Sequence, residues 1–383
     1  RQIGNSIYGT VENQHFGRFS TISHDGSRFA VSSASDDGTI TKVEVFEYNN
    51  NGFLTGEYVQ IGNDITLGGD ANLVSPVSMN DDGSIIAYGR LGERKAYVVQ
   101  YNSATNTWDQ LGSTISNNVS LFGRSCYLAW QKKRLFISGF DNVYIYRYSN
   151  DSEDWYLEET ITNLTMDNIN IIVSSKDAST LVIGTRDVSD DRGKVWLYRE
   201  IDGVWDYFAN VNGDSYALIG ESIEDRLGHL LDMNDDGTII SVGAEFADDN
   251  GTNSGTVQVY KYVEETDSLL QLGDTFKGLY AGDKMRASSL NNTGDLIAIG
   301  IPSNSNSLVG SIKVYTWDGI TWERVGSRIY GEESTGRFGS IIELSKNGDR
   351  IIGIEPFQTY NSITNVGRVA IYDLHYAEPE PEP

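Results

Sequence analysis

The chain has 383 residues, 54 acidic against 29 basic side chains for a formal net charge of −25, with 39% apolar residues and 11% aromatics. That content is too apolar for disorder, no stretch reaches the roughly 18 to 20 apolar residues of a membrane helix, and the charge opposes nucleic acid, which carries about one negative charge per 1.7 Å of duplex. A single cysteine, Cys126, excludes a disulfide framework and any multi-cysteine metal site, and beside Tyr127 and Leu128 it reads as a buried thiol.

Residues 1–9, RQIGNSIYG, match segments far downstream: LGSTI at 111–115 and VGSRIYG at 325–331. Next comes an aromatic run alternating in period two, TKVEVFEY at 41–48, and it returns along the whole chain. The further copies are AYVVQY (96–101), NVYIYRY (142–148), GKVWLYR (193–199), GTVQVYKY (255–262), GSIKVYTW (310–317) and GRVAIYDL (367–374). Alternation of apolar and polar side chains is the pattern of a strand with one buried face.

Ahead of the copies lie turn signals between apolar runs: Asp25-Gly26, Asp82-Gly83, Asp236-Gly237, Thr293-Gly294 and Asn347-Gly348, with Lys132-Lys133 and Asp177-Ala178 in the two remaining repeats. A small polar residue followed by Gly predicts a two-residue hairpin turn of positive φ. Measured at the second residue, the intervals are 57, 50, 45, 59, 57 and 54, room for about four short strands each. A fourth strand follows the first six aromatic ones: YVQIGNDI from Tyr58, WDQLGSTI from Trp108, LLQLGDTF from Leu269 and WERVGSRI from Trp322, with looser copies at Trp155 and Trp205. The last repeat lacks it, and residues 1–9 are the piece that fits.

The prediction is an all-β, seven-bladed β-propeller over 1–376, four antiparallel strands per blade, closed by 1–9 as the outer strand of the last blade. The repeats fall near 15–70, 71–118, 119–165, 166–222, 223–282, 283–334 and 335–376. Residues 377–383 alternate Glu and Pro, as an extended linker to further domains of a longer precursor would. An aromatic precedes the glycine by four residues at Tyr58, Trp108 and Trp322, so Trp or Tyr is expected immediately before Arg1 in the full-length product.

Phe16-Gly17, Phe122-Gly123, Leu227-Gly228 and Phe338-Gly339 precede the first strands, and Gly243-Ala244-Glu245 and Gly300-Ile301-Pro302 follow the second ones, with weaker versions at Gly89-Arg90 and Gly184-Thr185. In these residues the chain resembles FG-GAP-type propeller repeats, the class that includes the integrin α-chain head. The resemblance implies an extracellular or cell-surface adhesion or recognition module. That family's DxDxDG calcium loops are missing, since the corresponding connections are tight turns such as Asn80-Asp81-Asp82-Gly83.

The long connections at 33–38, 186–192, 245–254, 302–309 and 355–366 occupy one place in the repeat. They should emerge on one face, joined by inter-blade loops such as 212–225 and 331–337, and this face is the expected recognition surface. Three of them carry acidic pairs: Asp36-Asp37, Asp190-Asp191 and Asp248-Asp249. With Asn250 and Asn253, Asp248 and Asp249 form the best candidate for Ca²⁺, which wants oxygen ligands; the competing explanation is that Asp, Asn and Gly simply favour turns. No cofactor is otherwise implied. Phe246, Tyr280, Phe357 and Tyr360 are the loop aromatics available to a ligand, whereas the strand tryptophans read as packing.

His15, His24, His229 and His375 match no metal spacing, and no nucleophile motif with a partnered base is present. The expectation is therefore a non-enzyme that takes a protein or glycan ligand on the loop face, with no nucleic acid and no membrane insertion by this segment. The alternative is a carbohydrate-binding or carbohydrate-active propeller, a lectin or a glycoside hydrolase, whose paired carboxylates can lie far apart in sequence. Five Asn-x-Ser/Thr sequons, at Asn118, Asn150, Asn163, Asn250 and Asn291, permit glycosylation.

Overall fold

Period-two patterning puts one face of each aromatic strand inside, as in Thr41–Asn49, where Thr41, Val43 and Val45 are buried and the intervening Lys42 and Glu44 are half-buried. A computed structural model describes residues 1–38, 40–50, 56–67, 74–162, 168–186, 190–209, 216–302 and 309–375. The Glu-Pro segment, the sequon at Asn163 and loop residues 187–189, 212–215 and 303–308 lie outside these. The chain forms seven sheets of four antiparallel strands arranged in a ring, a seven-bladed β-propeller. In blade 3, for example, the strands run Cys126–Ala129, Arg134–Ser138, Val143–Ser149 and Asp154–Ile161 from the central axis outward.

The ring closes as expected. Ile7–Tyr8 pairs with Arg368–Asp373, Ile7 opposite Val369 and Tyr8 opposite Arg368, and Gln2 bridges Tyr372. The last blade is thereby completed by the first strand of the chain, and neither side of the joint is left as an open edge.

Two local expectations are corrected. The turns between first and second strands are not two-residue turns with two positive φ values. Gly26 N–H donates to the Ser23 carbonyl at 2.9 Å, only Gly26 (φ 71°) is left-handed, and Asp25 Oδ1 accepts the Ser27 N–H at 2.8 Å. An Asx-braced turn with one left-handed residue needs a single permissive position, so Lys133 (φ 52°) and Ala178 (φ 55°) fill it in the blades that lack Gly. The outer strand is also interrupted in several blades. Thr107–Gln110 and Ile115–Ser116 both pair with Lys95–Asn102, the break falling at Gly112 (φ 73°).

That break serves the packing of neighbouring blades. A Cβ on Gly112 would sit 2.6 Å from Trp155 of the next blade, and Trp155 Nε1–H donates to the Leu111 carbonyl at 2.9 Å. Trp108 and Trp322 make the same bond to Ile61 and Leu272, at 3.3 and 2.9 Å. Trp205 follows a blade without that glycine, and its buried Nε1 has no partner. The strand tryptophans are packing residues, as expected. Trp155→Phe should cost about 1–2 kcal/mol, the value of one buried hydrogen bond with its orphaned acceptor, read as a shift in urea midpoint; no shift would mean that the bond contributes nothing.

Candidate functional site

The Phe-Gly segments enter each inner strand. Phe16, Phe122 and Phe338 are fully buried, and Phe16 lies so close to the preceding blade that a Cβ on Gly367 would meet its carbonyl oxygen at 2.1 Å. These anchors bring the two sets of long loops together. The connection between second and third strands of one blade bonds to the inter-blade loop beside it: Arg226 N–H to the Asp191 carbonyl (3.1 Å), Lys284 N–H to Asn253 (3.0 Å) and Asn13 N–H to Thr364 (2.9 Å). The described parts of these loops share one face.

The opposite face carries the turns between first and second strands. Backbone bonds link the first turns around the axis, from Asn347 to His24, His24 to Asp81, Lys176 to Asp235 and Asp235 to Asn292. Between the two faces runs a central channel of about 410 Å³, lined by the inner strands of all blades.

The loop aromatics sit in built clusters. The Phe246 ring lies between the Arg226 guanidinium (4.5 Å) and the Lys284 ammonium (4.9 Å). Phe357 is covered by Arg337 at 4.6 Å and meets His15 edge-on at 5.0 Å. Tyr360 stacks on Tyr8 with ring centres 3.8 Å apart, and the Tyr8 hydroxyl reaches Glu332 at 3.1 Å. Tyr280 is exposed and joins none of these clusters.

The acidic pairs are dispersed rather than gathered. Asp36 faces His15 at 3.0 Å and Asp37 accepts the Ser35 hydroxyl at 2.6 Å. Asp190 pairs with Arg192, while Asp191 takes both Arg186 and Arg226. In the calcium candidate, Asp248 Oδ1 accepts the Asn253 N–H at 2.7 Å, Asp249 is paired with Lys277 at 2.7 Å, and the Asn250 amide donates to the Gly278 carbonyl at 2.9 Å. Among the described residues, no three carboxylate, imidazole or thiolate side chains are grouped as a metal site. The sequon at Asn291 is spent too: this residue is 8% exposed and its Oδ1 holds the N–H groups of Gly294 and Leu296.

The channel and its mouth bring together residues to which sequence reasoning assigned no ligand role. At the mouth, Glu245 accepts from His229 (3.1 Å) and Arg286 (2.6 Å). Burial alone would raise its carboxyl, but these partners hold it down at about 2. Inside, the Lys346 ammonium donates to Asp232 (3.1 Å) and to the carbonyls of Met233 (2.9 Å) and Leu290 (3.0 Å). Glu343 also faces the channel, and burial, reinforced by the charge of Asp232, pushes its carboxyl up to about 8. Cys126 is buried, and its thiol is raised to about 12 by that burial, as suits an inert side chain. The one available signal was positional: Arg18 and Arg124 directly follow Phe-Gly.

No protein-family model matches the chain, and no curated protein matches it. Solved structures do. Hydrazine synthase from Kuenenia stuttgartiensis is similar over 98% of this chain and 99% of its own, with 11% identity and a TM-score of 0.62. A candidate 6-phosphogluconolactonase from Bacteroides uniformis is similar over 86% of this chain and 88% of its own, with 13% identity and a TM-score of 0.60. The RRP9 WD40 repeats are similar over 97% of this chain and 98% of theirs, with 11% identity and a TM-score of 0.59. At such identities the likeness concerns the fold alone. The FG-GAP resemblance rests on the motifs, not on these structures.

Proposed function

We propose that this propeller is a non-catalytic recognition module of the FG-GAP-like kind, working outside the cell or at its surface, whose loop face takes a protein or glycan ligand. The observation that carries this reading is the construction of that face. Neighbouring blades lock their loops together by backbone bonds, and on them stand Phe246, Phe357 and Tyr360, each already packed against a cation or a second ring. Aromatic side chains held rigid lose little entropy on binding, which makes them good anchors. The charge of −25 suits a soluble, displayed domain, and the Glu-Pro segment would join it to further domains. No cofactor is required in this reading, so millimolar Ca²⁺ should leave Tm where EDTA leaves it.

The test is capture of the full chain on arrayed glycans and extracellular proteins. Binding should fall at least tenfold in Phe246→Ala or Tyr360→Ala and persist in Tyr156→Ala, on the outer strand of blade 3. Loss at Tyr156 with survival of the loop-face variants would overturn the proposal. A second reading, a carbohydrate-active propeller, is favoured by one observation: Glu343 and Asp232 share the channel, the first with its carboxyl pushed up to about 8 by burial and the second paired with the Lys346 ammonium at 3.1 Å. Two carboxyls in unlike environments within one cavity are the ingredients of acid–base catalysis. Glycan hydrolysis abolished by Glu343→Gln would replace the first reading with this one.

A further inference from the structure

On a chain of net charge −25, the loop-face mouth between blades 3, 4 and 5 gathers cations. Arg124, Arg186, Arg226 and His229 line one small cavity together with Asn170 and Thr185. Among the described residues, Asp191 is the single carboxylate paired with these arginines, receiving Arg186 Nε (2.5 Å) and Nη2 (3.0 Å) and Arg226 Nε (2.7 Å). One negative charge therefore serves two guanidiniums.

Arg124 pairs with no carboxylate among the described residues. Its Nη2 donates to Asn170 Oδ1 at 2.9 Å, and the Asn170 amide is fixed in turn by the His229 carbonyl at 2.8 Å. Burial and the neighbouring Arg186 both lower its pKa below the ordinary arginine value. Beside the cavity, Glu245 is likewise shared between His229 and Arg286, and Arg286 Nε is buried without a partner. Crowding like charges in a partly desolvated pocket is unfavourable, and an entering anion would relieve it.

We infer that this cavity binds an oxyanion, a carboxylate or phosphate group carried by the loop-face ligand, with Arg124 as its principal partner. The planar guanidinium matches the paired oxygens of either group. The cavity measures about 50 Å³, several times the roughly 10–15 Å³ that one water needs, which is room for such a group. The rest of the ligand would lie over the mouth, where His229 lines both this cavity and the channel. The inference rests on the loop face being the ligand surface, and adds the chemistry of what is bound there.

The test is calorimetric titration of the full chain with sodium phosphate and with sodium acetate, each against sodium chloride at equal ionic strength. At least one anion should saturate, and which one does so separates phosphate from carboxylate ligands. Arg124→Gln should weaken binding at least tenfold. Asp191→Asn, which removes the competing internal anion, should tighten it severalfold, a gain that a purely structural role for these residues would not produce. Arg324→Gln, on the outer strand of blade 6, should change nothing.

Should Arg124→Gln fail to fold, the sign of the Asp191→Asn effect still decides. No saturation by either anion, or weaker binding in Asp191→Asn, overturns the inference. Failure here, with Phe246→Ala still abolishing ligand capture, removes the anion subsite and leaves the recognition reading standing. Anion binding by a chain whose ligand capture ignores the loop face does the reverse.

Discussion

Arg368→Met should destabilise the propeller by about 3–5 kcal/mol, the usual cost of stranding one member of a buried ion pair. Arg368 is 2% exposed and Glu355 is fully buried, with Nη1 and Oε2 2.6 Å apart. The same guanidinium donates from Nε to Ser6 at 2.9 Å and pairs with Glu332 at 2.9 Å. Glu355 Oε1 accepts the Glu332 N–H at 2.9 Å. One cation thus ties the closing segment at the N-terminus to the last blade and to the loop arriving from blade 6.

Burial raises the Glu355 carboxyl above its usual range even with Arg368 beside it, so the pair is a costly arrangement that is worse when broken. The double variant Arg368→Met/Glu355→Leu should therefore recover most of the loss. Urea unfolding of the two singles and the double gives the coupling energy. Hydrogen exchange should rise first across residues 1–9. A single-variant cost under about 1 kcal/mol would show that the pair does not hold the closure.

Glu343→Gln should make the protein more stable at pH 8 and leave it unchanged at pH 4. The folded-state carboxyl titrates at about 8, whereas in the unfolded chain it titrates near 4.3. Below that lower value both states carry the proton. Between the two values the folded state keeps it while the unfolded chain releases it, so stability falls as pH rises and levels off above 8.

Each unit of displacement is worth about 1.4 kcal/mol, and Glu343 lines an open channel where screening reduces that, so a difference of about 2–4 kcal/mol is expected at pH 8. Glutamine imitates the neutral, protonated acid and has no proton to lose. Urea midpoints of wild type and variant at pH 4, 6 and 8 provide the measurement, and a constant difference across that range would mean that Glu343 is not held protonated.

Much of the fold was legible in the chain. The period-two strands, the turn residues and the match of residues 1–9 to later segments are local patterns, and repetition made each copy support the others. The turn type was misread because Asp-Gly serves both a two-residue hairpin and an Asx-braced turn with one left-handed residue, and the flanking pattern is the same for both. The acidic pairs drew attention because neighbouring carboxylates are visible in one dimension. Folded, Asp36, Asp191 and Asp249 turned to His15, to two arginines and to Lys277 respectively.

The number of blades, the strand order within each and the place where the ring closes can all be read along the chain, because they follow from short-range periodicity and turn chemistry. What the molecule presents depends instead on how the blades assemble. Arg124, Arg186 and Arg226 stand on three different blades, and Glu343, Asp232 and Lys346 on two. No spacing along the chain relates them. They meet because a propeller points its inner strands at one axis, where burial and neighbours that the fold alone supplies raise the Glu343 carboxyl and lower the Arg124 guanidinium.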